Sequence, residues 1–129
     1  MRENNQFLFL AGEYLKQEGY VTSVSPSVDD NAVDMFAEAD DKRYVVQAKT
    51  YDSCTPPIDC STLIELHNAM QRYECQGAIL LYCGYIKDEV VRMASQLDIR
   101  LIYFDPVQYE YALKNKKTDT QSFFPMDVF

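Results

Sequence analysis

The run Gly77–Cys83, GAILLYC, constrains the fold of this chain more than any other feature. It carries no polar alternate, so a strand made from it has to be covered on both faces, as parallel strands in α/β proteins are. It also falls far short of the roughly 18 apolar residues that a bilayer span requires. The segments that follow supply the cover. Lys87–Leu97 has Val90, Met93, Ala94 and Leu97 at helical spacing, and Arg100–Phe104 reads as a second buried strand closed by Asp105-Pro106. A strand–helix–strand unit of this kind crosses over right-handed in nearly all cases. The expectation is an α/β fold: a mixed sheet flanked by helices.

The N-terminal half adds the antiparallel part of that sheet. Phe7, Leu10, Ala11 and Tyr14 recur at helical spacing over residues 6–18, and Gly19 stands where a left-handed residue ends a helix. Tyr20–Ser25 alternates as a first strand. Pro26 with Asp29-Asp30-Asn31 makes a turn. Ala32–Ala39 and Lys42–Lys49 then form a predicted hairpin around Asp40-Asp41, the second strand having the β-rich centre Tyr44-Val45-Val46. Pro56-Pro57 excludes helix and central strand from the loop TYDSCTPPIDCS. Thr62–Tyr73 is a further helix with Leu63, Leu66, Met70 and Tyr73 on one stripe, capped by Ser61 or Thr62 with Glu65 completing a capping box. The predicted order is α-β-β-β-α-β-α-β, followed by a helical turn around Tyr109–Leu113.

Length and composition fit one domain over residues 1–129, with 106–129 as a C-terminal extension, and 47 % hydrophobic residues are enough for a real core. The apolar patch near the N-terminus is flanked by Glu3 and Glu13 with no small-residue cleavage site after it. That argues against a signal peptide and for a cytoplasmic protein without membrane segments. Cys54, Cys60, Cys75 and Cys83 are separated by five, fourteen and seven residues, which is not the close pairing of a zinc site, so free thiols are expected. A net charge of −8 counts against a general DNA-coating protein. It leaves room for an enzyme that meets nucleic acid through metal ions and a few lysines.

One constellation can carry chemistry. Asp34 is expected on the first hairpin strand, and Gln47 and Lys49, two apart on the second, share a face. A carboxylate, an amide oxygen and the backbone carbonyl of Ala48 are hard oxygen ligands suited to Mg²⁺. Lys49 can position or deprotonate an attacking water, or stabilise charge on a phosphate. Read from spacing alone, the same residues fit equally a set of solvated polar positions on an exposed strand.

From Gly19 to Phe104 the sequence resembles the Mrr-type branch of the PD-(D/E)XK restriction-endonuclease-like superfamily. The resemblance is carried by EGYVTSVSPSVDDNAVDMFAEADDKRYVVQAKTYD and STLIELHNAMQRYECQGAILLYCGYIKDEVVRMASQLDIRLIYFD. It implies a restriction-endonuclease-like fold and a DNA endonuclease of the Gln-x-Lys variant. Asp34, Gln47 and Lys49 would be its catalytic residues, Asp34, Gln47 and Ala48 the metal ligands, and Mg²⁺ or Mn²⁺ the cofactor. DNA is the implied substrate, with RNA a further option. The sequence departs from the family pattern in three places. Ala32 replaces a glycine before the aspartate. Leu8 falls where relatives place a helix glutamate, Glu3 and Glu13 being off register. Tyr82-Cys83-Gly84 ends the buried strand where relatives carry a serine or threonine. These departures make a catalytically inactive domain of the same fold, serving as an interaction or structural module, the rival reading.

Other polar and aromatic residues fit simpler roles. His67 reads as a rim residue of the second helix, which also carries Arg72, Lys42-Arg43 at the hairpin tip as cations that are solvated or touch a phosphate backbone, and Tyr51 as a cleft or packing residue. Asp52 and Asp59 flank the proline loop as candidates for a second metal. Tyr103, Tyr109 and Tyr111 with Lys114, Lys116 and Lys117 resemble a base-stacking strip but fit a capping segment better. The apolar terminus FFPMDVF is expected to fold back on the domain or to dock on a protein partner, including a second copy in a homodimer.

Overall fold

The computed structural model describes residues 2–24, 32–50 and 58–114, with side chains from Gln6 onward. The elements are α1 (Arg2–Gln17), β1 (Val21–Val24), β2 (Met35–Ala39), β3 (Lys42–Thr50), α2 (Cys60–Arg72), β4 (Gly77–Cys83), α3 (Asp88–Gln96), β5 (Ile99–Tyr103) and α4 (Pro106–Lys114). The five strands form one sheet in sequence order, β1-β2-β3-β4-β5. The β1–β2 and β2–β3 pairs are antiparallel, whereas β3–β4 and β4–β5 are parallel. The fold is therefore the expected mixed α/β sheet flanked by helices.

The run GAILLYC is covered on both faces, and its alternation decides which residue goes where. Ile79 and Leu81 join Val46, Ala48, Met35 and Ala37 in a core under α1 and α4. Ala78 and Leu80 join Val45, Phe36, Leu63 and Leu66 in a second core under α2 and α3. Tyr44 lies against Gly77, where a Cβ would come within 2.8 Å of its ring, so this β3–β4 neighbour needs a residue without a side chain.

Turn and cap chemistry explain the boundaries. Asp40 and Asp41 hold φ of 54° and 65°, the double left-handed turn that matches the twist of a two-residue hairpin. Gly19 has φ 102° and ends α1 as expected, although α1 starts at Arg2 rather than near residue 6. The α2 cap differs from expectation. Asp59, not Ser61 or Thr62, is the N-cap, and the box is closed by Thr62 rather than Glu65. Its Oδ1 accepts from the Ser61 hydroxyl at 2.7 Å and from the Thr62 amide at 3.2 Å. The helix begins two residues earlier than expected because the earlier acid reaches the exposed amides first. These bonds, that from Ser61 foremost, hold the Asp59 carboxyl below its ordinary range. Its contribution to the cap is present above about pH 4 and disappears as the pH falls through the lowered value.

Helix α4 is tied to the body by Tyr109, which is buried against Phe104 and Tyr14 at ring separations of 5.4 and 6.1 Å. Phe7 completes the cluster, 5.8 Å from Phe104. Emptying this aromatic site is predicted to be costly. Tyr109→Ala should lower unfolding stability by about 3–5 kcal/mol in urea titration. A loss under about 1 kcal/mol would mean that α4 adds little to the core.

Candidate functional site

The first hairpin strand starts at Met35, three residues later than the expected Ala32, and the reason defines the site. Met35 is the register partner of Val46, yet the amide of Asp34 also donates to the Val46 carbonyl at 2.8 Å. Two consecutive residues therefore oppose one, the arrangement of a β-bulge, which re-aims a side chain. Asp34 stands just before β2 rather than on it. Its Oδ2 accepts the amide of Ala48 at 2.8 Å, where a ladder carbonyl would otherwise lie. A side-chain oxygen thus substitutes for backbone and satisfies a half-buried donor.

This bond brings Asp34 to the residue between Gln47 and Lys49. In a strand the amide and carbonyl of one residue point to the same side. Since the Ala48 amide points toward Asp34, its carbonyl does too. Gln47 and Lys49 project from β3 on the face that carries Val45, toward α2 and α3. Gln47 is the one polar side chain buried among the described residues, at 8 % exposure, and Lys49 is half-buried. A neutral amide can occupy such a position at lower desolvation cost than a carboxylate.

Register supplies a neighbour that the linear sequence did not reveal. Tyr82 of β4 pairs with Lys49, so its phenol stands beside the lysine on the same face. The strand end has no serine or threonine, and the hydroxyl beside Lys49 belongs to a tyrosine that only the register brings there. A parallel register spans a whole crossover and has no local signal in sequence. The ring of Tyr103 meets Tyr82 edge-on at 5.6 Å, and the Cys83 thiol lies 3.7 Å from the Tyr103 hydroxyl. That contact, together with burial, pushes Tyr103 up to about 12, while burial raises Tyr82 and Cys83. All three groups are protonated at neutral pH; Tyr82, the register partner of Lys49, can donate a hydrogen bond beside it but supplies no anionic base.

The remaining candidates lie elsewhere. Glu13 pairs with Lys16 at 3.3 Å on α1. Asp59 is engaged as the α2 cap. Arg43 sits 4.2 Å above the Phe36 ring and 3.6 Å from Glu38, and Arg72 lies 5.4 Å from the Tyr73 ring. His67 is half-buried on α2. Tyr109 is in the core, Tyr103 packs on Tyr82 and Tyr111 is 69 % exposed, so these tyrosines form no common stacking strip. Tyr51, Asp52, Cys54, Lys116, Lys117 and the terminus FFPMDVF fall outside the described residues. Among the described residues no group of three His, Cys, Asp or Glu side chains could hold a metal. The oxygens that Asp34, Gln47 and Ala48 offer are different in kind, one carboxylate, one amide and one backbone carbonyl, and their chemistry is that of ligands for a hard cation. No helix among the described residues is long and apolar enough to cross a membrane.

Comparison with known proteins agrees with the architecture. Residues 2–108 match the Mrr_cat family model, described as a restriction endonuclease. A solved structure titled a protein of unknown function, AF1548, superposes with a TM-score of 0.62 at 16 % identity, over 76 % of this chain and 56 % of that one. The DNA modification-dependent restriction endonuclease AspBHI superposes with a TM-score of 0.55 at 9 % identity, over 93 % of this chain and 41 % of that one. The chain thus spans about half the length of these two structures, and at such identities the likeness speaks for the fold. No curated protein matches the chain.

The bulge anchor can be tested without any substrate. Asp34→Ala is predicted to leave the Ala48 amide without its acceptor and to cost about 1–3 kcal/mol. Asp34→Asn keeps an oxygen in place and should cost less. Amide hydrogen exchange reads this directly: the Ala48 amide should exchange faster in the alanine variant than in the asparagine variant. Equal rates would show that the carboxylate does not hold the strand.

Proposed function

The chain belongs to the restriction endonuclease family of the Mrr_cat model, and from that premise we propose that it is a metal-dependent endonuclease that hydrolyses DNA phosphodiester bonds. The family generally uses divalent metal ions. In this reading residues 1–129 act as one domain in the cytoplasm, with 106–129 as a C-terminal extension. The observation that carries the proposal is the Asp34 carboxylate fixed on the Ala48 amide, between Gln47 and Lys49.

Asp34, the Gln47 side-chain oxygen and the Ala48 carbonyl would hold Mg²⁺ or Mn²⁺. Such an ion supplies charge neutralisation at the phosphodiester and a more acidic bound water. The residues of the chain do the rest. The bulge holds Asp34 against β3, so its second carboxylate oxygen is oriented before any ligand arrives. Lys49, two residues from Gln47 on the same face, stands to position the attacking water or to stabilise charge gathering on the phosphate. Tyr82 beside it adds a neutral donor. With Gln47 in place of an acid, the ligand set carries a single formal charge, which fits weak, millimolar-range metal binding and limits the desolvation cost of the apo site.

The deciding experiment is cleavage of supercoiled plasmid, modified and unmodified, and of single-stranded DNA and RNA, with Mg²⁺ or Mn²⁺. The expected result is metal-dependent cleavage of DNA that Asp34→Ala and Lys49→Ala each reduce by at least about 100-fold. Absence of cleavage together with absence of Mn²⁺ binding at millimolar concentration would overturn the proposal and favour the inactive nuclease-fold module. Gln47→Glu gives an independent check on the ligand role. Calorimetric titration should show tighter Mn²⁺ binding than in the unsubstituted protein, at the expense of apo stability, because a second carboxylate is then buried beside Asp34. Unchanged Mn²⁺ affinity would remove Gln47 from the ligand set.

A further inference from the structure

The two edges of the sheet are unlike. Edge strand β1 has four residues, with Thr22 and Ser23 at its centre, and three of the four are exposed. Edge strand β5, Ile99–Tyr103, reads IRLIY and has no proline and a single charge. Natural proteins blunt a sheet edge by shortening it, charging it or covering it. Edge β1 follows that practice. Edge β5 largely does not, and among the described residues no strand lies beyond it.

A groove of about 670 Å³ runs along β5 and wraps both of its faces. On the α3 face its wall is made by Val91, Ala94 and Leu101, with Val91 45 % exposed. On the α1 face it is made by Tyr14, Glu18, Arg100 and Ile102. Ala94 and Ser95 are the small side chains that α3 contributes to this wall. The amide of Phe104 donates to the Tyr82 carbonyl at 2.8 Å, so Phe104 and, by alternation, Ile102 and Arg100 turn their backbone groups toward β4. The backbone groups of Leu101 and Ile99 then face outward into the groove.

We infer that the β5 edge is a homodimer interface at which a second copy of this chain pairs its own β5 antiparallel, about a two-fold axis at Leu101. Three features favour a second copy over a foreign segment. The outward amide and carbonyl of Leu101 are related by such an axis to the same two groups of its copy, so each satisfies the other. Parity is kept as well: Ile99 and Leu101 remain on the α3 face with apolar neighbours, and Arg100 and Ile102 remain on the α1 face. Charge is also self-complementary. Each copy brings one cation, Arg100, which donates to its own Tyr20 hydroxyl at 2.8 Å, and one carboxylate, Glu18, to the same groove. The axis then gathers two of each, whereas Arg100 alone would repel its copy. An isologous interface of this kind closes at two subunits, which removes both open β5 edges at once. It would place two copies of the Asp34–Lys49 region in one particle, but it does not depend on the nuclease reading.

The test is the mass of the full chain in solution, measured by light scattering and sedimentation over a range of concentrations. Amide exchange at Leu101 is followed in parallel. The expected result is a dimer in which Leu101 protection rises with protein concentration. Val91→Lys and Arg100→Glu should each weaken dimerisation at least tenfold while leaving the far-ultraviolet circular dichroism unchanged. Adding Glu18→Arg to Arg100→Glu should restore it. A monomer at every concentration would overturn the inference. So would Leu101 protection independent of concentration, which would assign the groove to the chain's own residues 115–129. A dimer that all these variants leave intact would place the interface elsewhere and overturn it equally.

Discussion

The hydrogen bond from the Ala48 amide to the Asp34 carboxylate joins the two halves of this structure. Strand β3 is paired on both edges, antiparallel to β2 and parallel to β4. At the point where β2 gives way to the preceding turn, β3 would be left with an amide that has lost its backbone partner. An aspartate at the bulge supplies that partner at 2.8 Å. One side chain therefore ends a ladder and keeps a buried-strand donor satisfied. It also fixes an anionic oxygen at Ala48, next in the chain to Gln47, the one amide or charged side chain buried among the described residues.

The sheet around that bond is built so that little can move. β3 and β4 are buried on both faces, between a core under α1 and α4 and another under α2 and α3. Gln47 and Lys49 project from this rigid strand rather than from a loop, so their separation is set by the pleat. A polar group on a scaffold of this kind holds its geometry in the absence of ligand, which is the condition for electrostatic preorganisation. Tyr82, on the face of Lys49, stays neutral because burial disfavours its ionisation.

The overall charge of −8 looks unfavourable for a family that acts on DNA, and the structure shows where some of the cations go. Arg43 is committed to Phe36 and Glu38, Lys16 to Glu13, and Arg100 to the Tyr20 hydroxyl at 2.8 Å. A surface of this charge gives little long-range steering toward a polyanion, so under the proposed nuclease reading the approach would depend on the few groups around Asp34 and Lys49.

Much of this was legible in the chain itself, because the decisive signals are local. The unbroken apolar run GAILLYC demanded cover on both faces, Gly19 and Asp40-Asp41 marked turns through their backbone preferences, and the period of each helix named its buried stripe. The two-residue spacing of Gln47 and Lys49 put them on one face before any fold was known. What the tertiary structure alone decided is everything that depends on register. It set Tyr82 beside Lys49, moved Asp34 off the strand and onto the Ala48 amide, gave the α2 cap to Asp59, and left β5 rather than a longer strand at the edge. A pleat or a helical turn is encoded within a few residues. A register is settled by cores assembled from residues tens of positions apart, and no local pattern carries that information.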